Sequence, residues 1–342
     1  MTLLSIALPV FNGANFIREA IESILQQDSL AFELVVVDNA STDNTVAIVS
    51  EYQSDSRLKI ITCPDHVGQV ANVNRSVSYC SSKWIHFFCH DDIMLKGCVT
   101  EVVRIISNLP TDHDVALISH QPAWLFSNQM VKAPFNAING VTIHPYDVFY
   151  KSIVLEKTTY QIHPKAITAT SLFEGVTTYF PALTTAVVRK DIFLQIGQFD
   201  AQYIHFDIFL WMKLVRDYAY IEISEAMTLT RIHGAQVAVD ARKTFRTFQD
   251  NRLFWPNYLS YLGLPKSLKN KAFIFLKCAT TATGILAVTV LKSGWISGLK
   301  LLPYLPFWYW WFIILYLPMR VWREKQNCKE IEQYVPLEYI YP

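Results

Sequence analysis

The segment ELVVVDNAS (33–41) sets four apolar residues in a row, three of them β-branched, with nothing polar between them. Successive strand side chains point to opposite faces, so a strand of this kind must be covered on both. The flanking sequence supplies the covers. FIREAIESILQQ (16–27) places Phe16, Ala20, Ile24 and Gln27 three or four residues apart, and Ile17, Ile21 and Leu25 widen that stripe into an amphipathic helix. STDNTVAIVSEYQ (41–53) reads as a second, capped helix, and a third runs over about 70–81. LLSIALPVF (3–11), RLKIIT (57–62) and WIHFFC (84–89) are further strands. The alternation predicts an α/β fold, a mostly parallel sheet flanked by helices.

Ligands of such sheets bind at the carboxyl ends of the strands. Polar clusters stand at three of those ends: Pro9–Asn12, Asp38–Asp43 and His90–Asp92. The chain has neither G-x-G-x-x-G nor G-x-x-x-x-G-K-[ST], which disfavours a dinucleotide site and a P-loop. Lys plus Arg number 30 against 29 acidic residues, and a net charge of +1 argues against nucleic acid as partner. A 51% hydrophobic fraction with 17% charged residues is apolar for a freely soluble protein and predicts membrane contact. The cysteines at 63, 80, 89, 98, 278 and 328 include no C-x-x-C pair, so neither a disulfide framework nor structural zinc is expected. The opening MTLLSIALPVFNG lacks a basic region and a cleavage site, and reads as a strand instead of a leader.

WIHFFCHDDIM (84–94) ends a buried strand in two adjacent carboxylates. Asp91 and Asp92 are either a solvated turn or helix cap, or they face a divalent cation that offsets the cost of two neighbouring negative charges. Magnesium or manganese held by carboxylates and diphosphate oxygens is one such arrangement. The pair alone leaves both open.

Together the clusters resemble the family 2 glycosyltransferases, which have the GT-A fold. SIALPVFNGANFIREAIESILQQ is similar to that family's first strand and helix, and ELVVVDNASTDNT to its nucleotide-binding segment. GQVANVNRSVSYCSSKWIHFFCHDD is similar to the stretch leading into its D-x-D-type metal motif, here ending C-x-D-D. The resemblance spans about residues 3–240. It implies that Pro9, Val10 and Phe11 line the base and ribose pocket, and that Asp38 bonds the nucleobase with Asn39 and Ser41 nearby. It also implies that Asp91 lies against the ribose or donor sugar, beside the metal, and that Asp92 ligates the metal. Asn72 is either a polar helix-face residue or part of the donor site. HFDIFLWMKL (205–214) matches the family's E-D-x-x-L-W pattern, which makes Asp207 the expected base and His205 the runner-up. Phe206 stands where the pattern has Glu, a departure, and Asp207 can equally serve the helix dipole. RIHGAQVA (231–238) resembles R-x-H-x-x-Q/S, which places Arg231 near the diphosphate and His233 at the metal. His86 reads as packed beneath the sheet's cover.

The domains expected are a nucleotide-sugar half (1–110), an acceptor half (111–240) that is irregular from about 110 to 180, linker helices (241–270) and a membrane-associated region (271–342). In the last, LLPYLPFWYWWFIILYLPM (301–319) is uncharged and rich in interfacial aromatics, and AFIFLKCATTATGILAVTVL (272–291) is a weaker partner. Lysines at 266, 269 and 271 precede the region, and Arg320, Arg323 and Lys325 follow it, so a hairpin or in-plane helices would keep both flanks cytosolic. The reading is a metal-dependent inverting transferase with a UDP- or dTDP-sugar donor and a glycan or lipid-linked saccharide acceptor. It would work at the cytoplasmic face of a bacterial inner membrane, in surface polysaccharide or O-antigen synthesis. The alternative is a non-catalytic sugar-nucleotide or glycan-binding protein, which the Phe206 departure favours.

Overall fold

The computed structural model describes residues 2–126, 130–134, 141–145, 155, 158–164 and 182–233, with short pieces at 256–257, 260, 316–319 and 321–322. The first half follows the sequence pattern: β1 (Leu4–Val10), α1 (Ile17–Leu25), β2 (Phe32–Asp38), α2 (Thr45–Ser50), β3 (Leu58–Thr62), α3 (Gln69–Tyr79) and β4 (Trp84–Phe87). Helix α2 starts later than residue 41 because the preceding residues form a turn. There Asp43 accepts the backbone N–H of Thr45 at 3.0 Å and that of Ala14 at 3.1 Å.

Beyond β4 come β5 (Ile93–Met94), α4 (Cys98–Ser107), β6 (Val115–Phe126), β7 (Met130–Pro134), β8 (Val141–Pro145), β9 (Tyr160–His163), β10 (Ala186–Arg189), α5 (Lys190–Gln195), α6 (Phe206–Asp217) and β11 (Ala219–Ile232). The expectation of an irregular 110–180 region is corrected here, because it contains the 12-residue strand β6. The polar run Ser119, His120 and Gln121, followed by Pro122, interrupts its apolar run and hid it. Pro122 is tolerated because the β6–β11 ladder shifts register at Ala226 and Thr228, opposite this segment.

The sheet order is β3-β2-β1-β4-β10-β6-β11-β5. It is parallel through β3, β2, β1 and β4, but β10 lies antiparallel between β4 and β6. The sheet is therefore mixed, not mostly parallel throughout. Hydrophobic runs specify burial on both faces, whereas strand direction is set by how the intervening chain returns.

The β2 run divides by alternation. Leu34 and Val36 join a core with α1 and α4, while Val35 and Val37 join the opposite core with α3, α5 and α6. The segments 272–291 and 301–319 lie outside the described residues, apart from a helical piece at 316–319. Among the described residues, no helix is long and apolar enough to cross a membrane.

Candidate active site

The carboxyl ends of β1 and β2 form a tightly hydrogen-bonded corner. Asn12 and Ala40 both take positive φ, at 50° and 60°, so the chain doubles back after each strand. Ser41 Oγ accepts the Asn12 N–H at 2.8 Å, Asn12 Oδ1 accepts the Thr42 N–H at 2.8 Å, and Thr45 Oγ1 accepts the Gly13 N–H at 2.8 Å. Asp38 is 3% exposed; one carboxylate oxygen accepts the Ser41 N–H, and the other is buried with no protein partner. A buried carboxylate oxygen of that kind awaits a donor from a ligand. Phe11, 40% exposed, stands 4.1 Å from the His66 ring and walls the same corner.

The other residues expected at the nucleotide do different work. Val10 points into the core, and Pro9 is half-buried beside it. Asn39 ties down the 66–68 loop: its Nδ2 donates to the Val67 carbonyl at 2.6 Å, and its Oδ1 accepts the Val67 N–H and an Arg75 N–H. Asn72 is buried between the same Arg75 and the Val37 carbonyl. Both asparagines hold the corner's shape from behind.

The second cluster gathers distant residues. Asp91 Oδ2 lies 2.9 Å from His233 Nε2, and the Asp91 carbonyl accepts the Arg231 Nε–H at 2.9 Å. Asp92, 3% exposed, accepts the backbone N–H of Arg231 at 2.9 Å. Arg231 also pairs with Glu19 and lies over the Phe16 ring, 5.0 Å from its centroid. Thus β11 is stitched to the end of β4 and to α1. Gly13 joins the two clusters. A Cβ there would sit 2.6 Å from the His90 ring and 2.6 Å from Val10 Cγ2, so only glycine lets the first loop approach the second.

Burial raises the Asp92 carboxyl well above the usual range, and the Asp91 charge adds to it, against a partial offset from Arg231. Burial also pushes Asp91 upward, but the His233 hydrogen bond and His90 outweigh it and hold Asp91 low. The pair therefore shares its charge unequally, which is the electrostatic situation a divalent cation relieves. Sγ of Cys89 and carboxylate oxygens of Asp91 and Asp92 all lie within 4.8 Å of one another, near enough for one ion to touch all three. His233 stands behind Asp91 as its hydrogen-bond partner and is not part of that group.

Asp207 lies in the first turn of α6, with His205 at the cap position, and its charge is felt at Cys89. Phe206 is buried, 5.0 Å from Phe199 in an aromatic cluster with Trp211. The residue at the expected Glu position thus serves the core, and Asp207 remains the carboxylate of that pair. His86 is fully buried as expected, with Nε2 3.0 Å from the Thr184 carbonyl. Sequence reasoning missed Glu19 and Phe16, which read locally as ordinary helix residues and become informative only beside Arg231, far along the chain. Cys89 entered only as the first residue of C-x-D-D, without a role of its own.

A mixed α/β sheet with adjacent carboxylates at a strand end and a polar, hydrogen-bonded corner beside them is a GT-A-like arrangement. The chain belongs to the glycosyl transferase family 2, whose model matches residues 5–193, and it is a glycosyltransferase. It is 26% identical over 302 residues, covering 87% of this chain and 83% of the relative, to the uncharacterized glycosyltransferase RP339 of Rickettsia prowazekii. Over 93 residues, 27% of this chain and 36% of the relative, it is 38% identical to an Escherichia coli protein. That relative is named UDP-Glc:alpha-D-GlcNAc-diphosphoundecaprenol beta-1,3-glucosyltransferase WfgD. Among solved structures it resembles the mannosyltransferase PcManGT of Pyrobaculum calidifontis in complex with GDP-Man and Mn2+. The TM-score is 0.54 at 16% identity, with 95% of this chain and 87% of that one covered, a likeness of fold.

Proposed function

We propose that this enzyme moves a sugar from a nucleoside-diphosphate sugar to a lipid-linked saccharide, inverting the anomeric carbon. A divalent cation, manganese or magnesium, would be held by Asp91 and Asp92. The observation that carries the reading is the meeting of two adjacent carboxylates with Arg231 and His233, 140 and 142 residues from Asp91. A cation at the pair would supply positive charge where the departing diphosphate gathers negative charge. Arg231 holds the Asp91 backbone in place beside that charge. Asp38 offers its buried oxygen to a base N–H, and Phe11 with His66 gives the base an apolar wall. Asp207 would take the proton of the acceptor hydroxyl, which needs a carboxylate that stays ionised next to the donor.

A UDP-linked donor and a lipid diphosphate acceptor are supported by the name of the WfgD relative, which carries both UDP-Glc and diphosphoundecaprenol. The apolar, aromatic sequence of 301–319 and its basic flanks support attachment to the cytoplasmic face of a bacterial inner membrane. Surface polysaccharide assembly, including lipopolysaccharide O-antigen, is the process proposed.

The test is thermal stabilisation by UDP, dTDP, GDP and ADP with and without Mn2+, on wild type and Asp92→Ala. A ligand at a hundred times its dissociation constant adds about 2.7 kcal/mol. Cation-dependent stabilisation by UDP or dTDP, lost in Asp92→Ala, is the expected result. A folded wild type that no nucleotide stabilises would remove the donor site. Transfer retained by Asp207→Asn would remove the assigned base.

A further inference from the structure

The three atoms at the end of β4 are not all oxygen. Cys89 Sγ lies in the same 4.8 Å group as the Asp91 and Asp92 carboxylates, and among the described residues it is the one three-residue cluster of this kind. Of the described cysteines, Cys63, Cys80 and Cys98 are buried in the two cores, whereas Cys89 is half-buried, packed against one of those cores with two carboxylates close to its sulfur. Besides that core contact, the Asp91 and Asp92 carboxylate oxygens lie within 4.8 Å of the Cys89 sulfur. A thiol there offers two crowded carboxylates at most a weak S–H hydrogen bond, whereas a cation between them would take the sulfur as a ligand.

We propose that Cys89 is a third protein ligand of the cation site, giving it a mixed thiolate–carboxylate donor set that favours manganese, cobalt or zinc over magnesium. The inference rests on the reading of Asp91 and Asp92 as cation ligands. Its chemistry is the match of donors to ions: carboxylates suit magnesium, calcium and manganese alike, whereas sulfur is a poor ligand for the hard, strongly hydrated magnesium ion. Coordination breaks the S–H bond, forms a metal–sulfur bond and releases one proton to solvent, with no change of oxidation state. The consequence is a transferase tuned away from the most abundant cellular divalent cation by one side chain.

The experiment titrates Co2+ into the full-length, metal-stripped protein with UDP present, and reads both binding heat and the thiolate-to-cobalt charge-transfer absorption. Cys89→Ser, Cys89→Asp and Asp92→Ala are measured alongside, each first checked for an unchanged metal-free melting temperature. The expected result is a charge-transfer band in wild type that disappears in Cys89→Ser while cobalt still binds more weakly. In Cys89→Asp, the preference for Mn2+ over Mg2+ should fall by about tenfold, the scale on which changes around a metal move its affinity. Cobalt binding without the band, or a band that survives Cys89→Ser, overturns the inference and leaves the carboxylate site standing. No binding of cobalt, manganese or magnesium to wild type overturns the cation site itself, and the inference with it.

Discussion

The corner between β1 and β2 and the cluster at the end of β4 are neighbours built on opposite principles. In the corner, polar side chains within about thirty residues of one another satisfy backbone N–H groups, as Ser41 does for Asn12 and Thr45 for Gly13. Among the described residues, an Asp38 oxygen and the Nε of Arg75 are its buried atoms without a protein partner. In the cluster, charged groups crowd together: Asp92 is pushed toward its protonated form by burial and by Asp91, and Arg231 and His233 come from the far end of β11. A satisfied corner presents a fixed shape. A frustrated cluster presents a charge imbalance, and a reaction that develops negative charge can use it once a cation is bound.

The sharpest way to break this contrast is to relieve the frustration. Asp92→Asn keeps the shape and removes one charge, so transfer should fall by about 10²–10³-fold, roughly 3–4 kcal/mol of barrier. The folded-state carboxyl is raised, so its stabilising effect is present at low pH and lost as pH climbs through the raised value. Metal-free Asp92→Asn should therefore be at least as stable as wild type at neutral pH. Steady-state rates and metal-free melting curves check both halves, and a large loss of melting temperature would mean the carboxylate is structural.

Below the cluster, His86 is fully buried, with its pKa lowered to about 4 by burial and only partly restored by its bond to the Thr184 carbonyl. Its folded pKa lies below the unfolded value, so its contribution is complete above about pH 6.5 and is lost as pH falls toward 4. Stability should drop by about 3 kcal/mol over that window, and His86→Gln should flatten the curve in urea unfolding. An unchanged pH dependence in the variant would assign the acid sensitivity elsewhere.

Arg231→Lys should cost about 2 kcal/mol, because lysine cannot reach the Asp91 carbonyl and Glu19 together. Both the melting temperature and kcat should fall. The smallest effect belongs to the satisfied corner. Ser41→Ala leaves the Asn12 N–H without its acceptor and should cost about 1 kcal/mol, with the donor KM rising more than kcat falls. An equal or larger loss of kcat than in Asp92→Asn would erase the contrast between the two regions.

Much of the corner was legible in the chain because its polar residues stand at the ends of apolar runs that read as strands. Asp38, Ser41 and Phe11 sit at the carboxyl ends of predicted strands, and strand ends are where such sheets bind ligands. The cluster was legible only as Asp91–Asp92 and a distant R-x-H. The segment of α6 was legible through its likeness to E-D-x-x-L-W, yet the position of Asp207 near Cys89 depends on how the helix packs through Phe206, Phe209 and Trp211. The β6 and β11 strands escaped notice because polar residues interrupt one and alternate through the other.

What the sequence alone determined is burial and its period: continuous apolar strands, amphipathic helices, and hence an α/β sheet covered on both faces with polar groups at its carboxyl ends. Tertiary structure decided strand direction beyond β4 and the company each charge keeps. Periodicity is a local property, fixed by 3.6 and 2 residues per repeat. Whether Asp92 meets Arg231, or Asp91 meets His233, depends on a strand returning after some 140 residues to a register that no local pattern encodes.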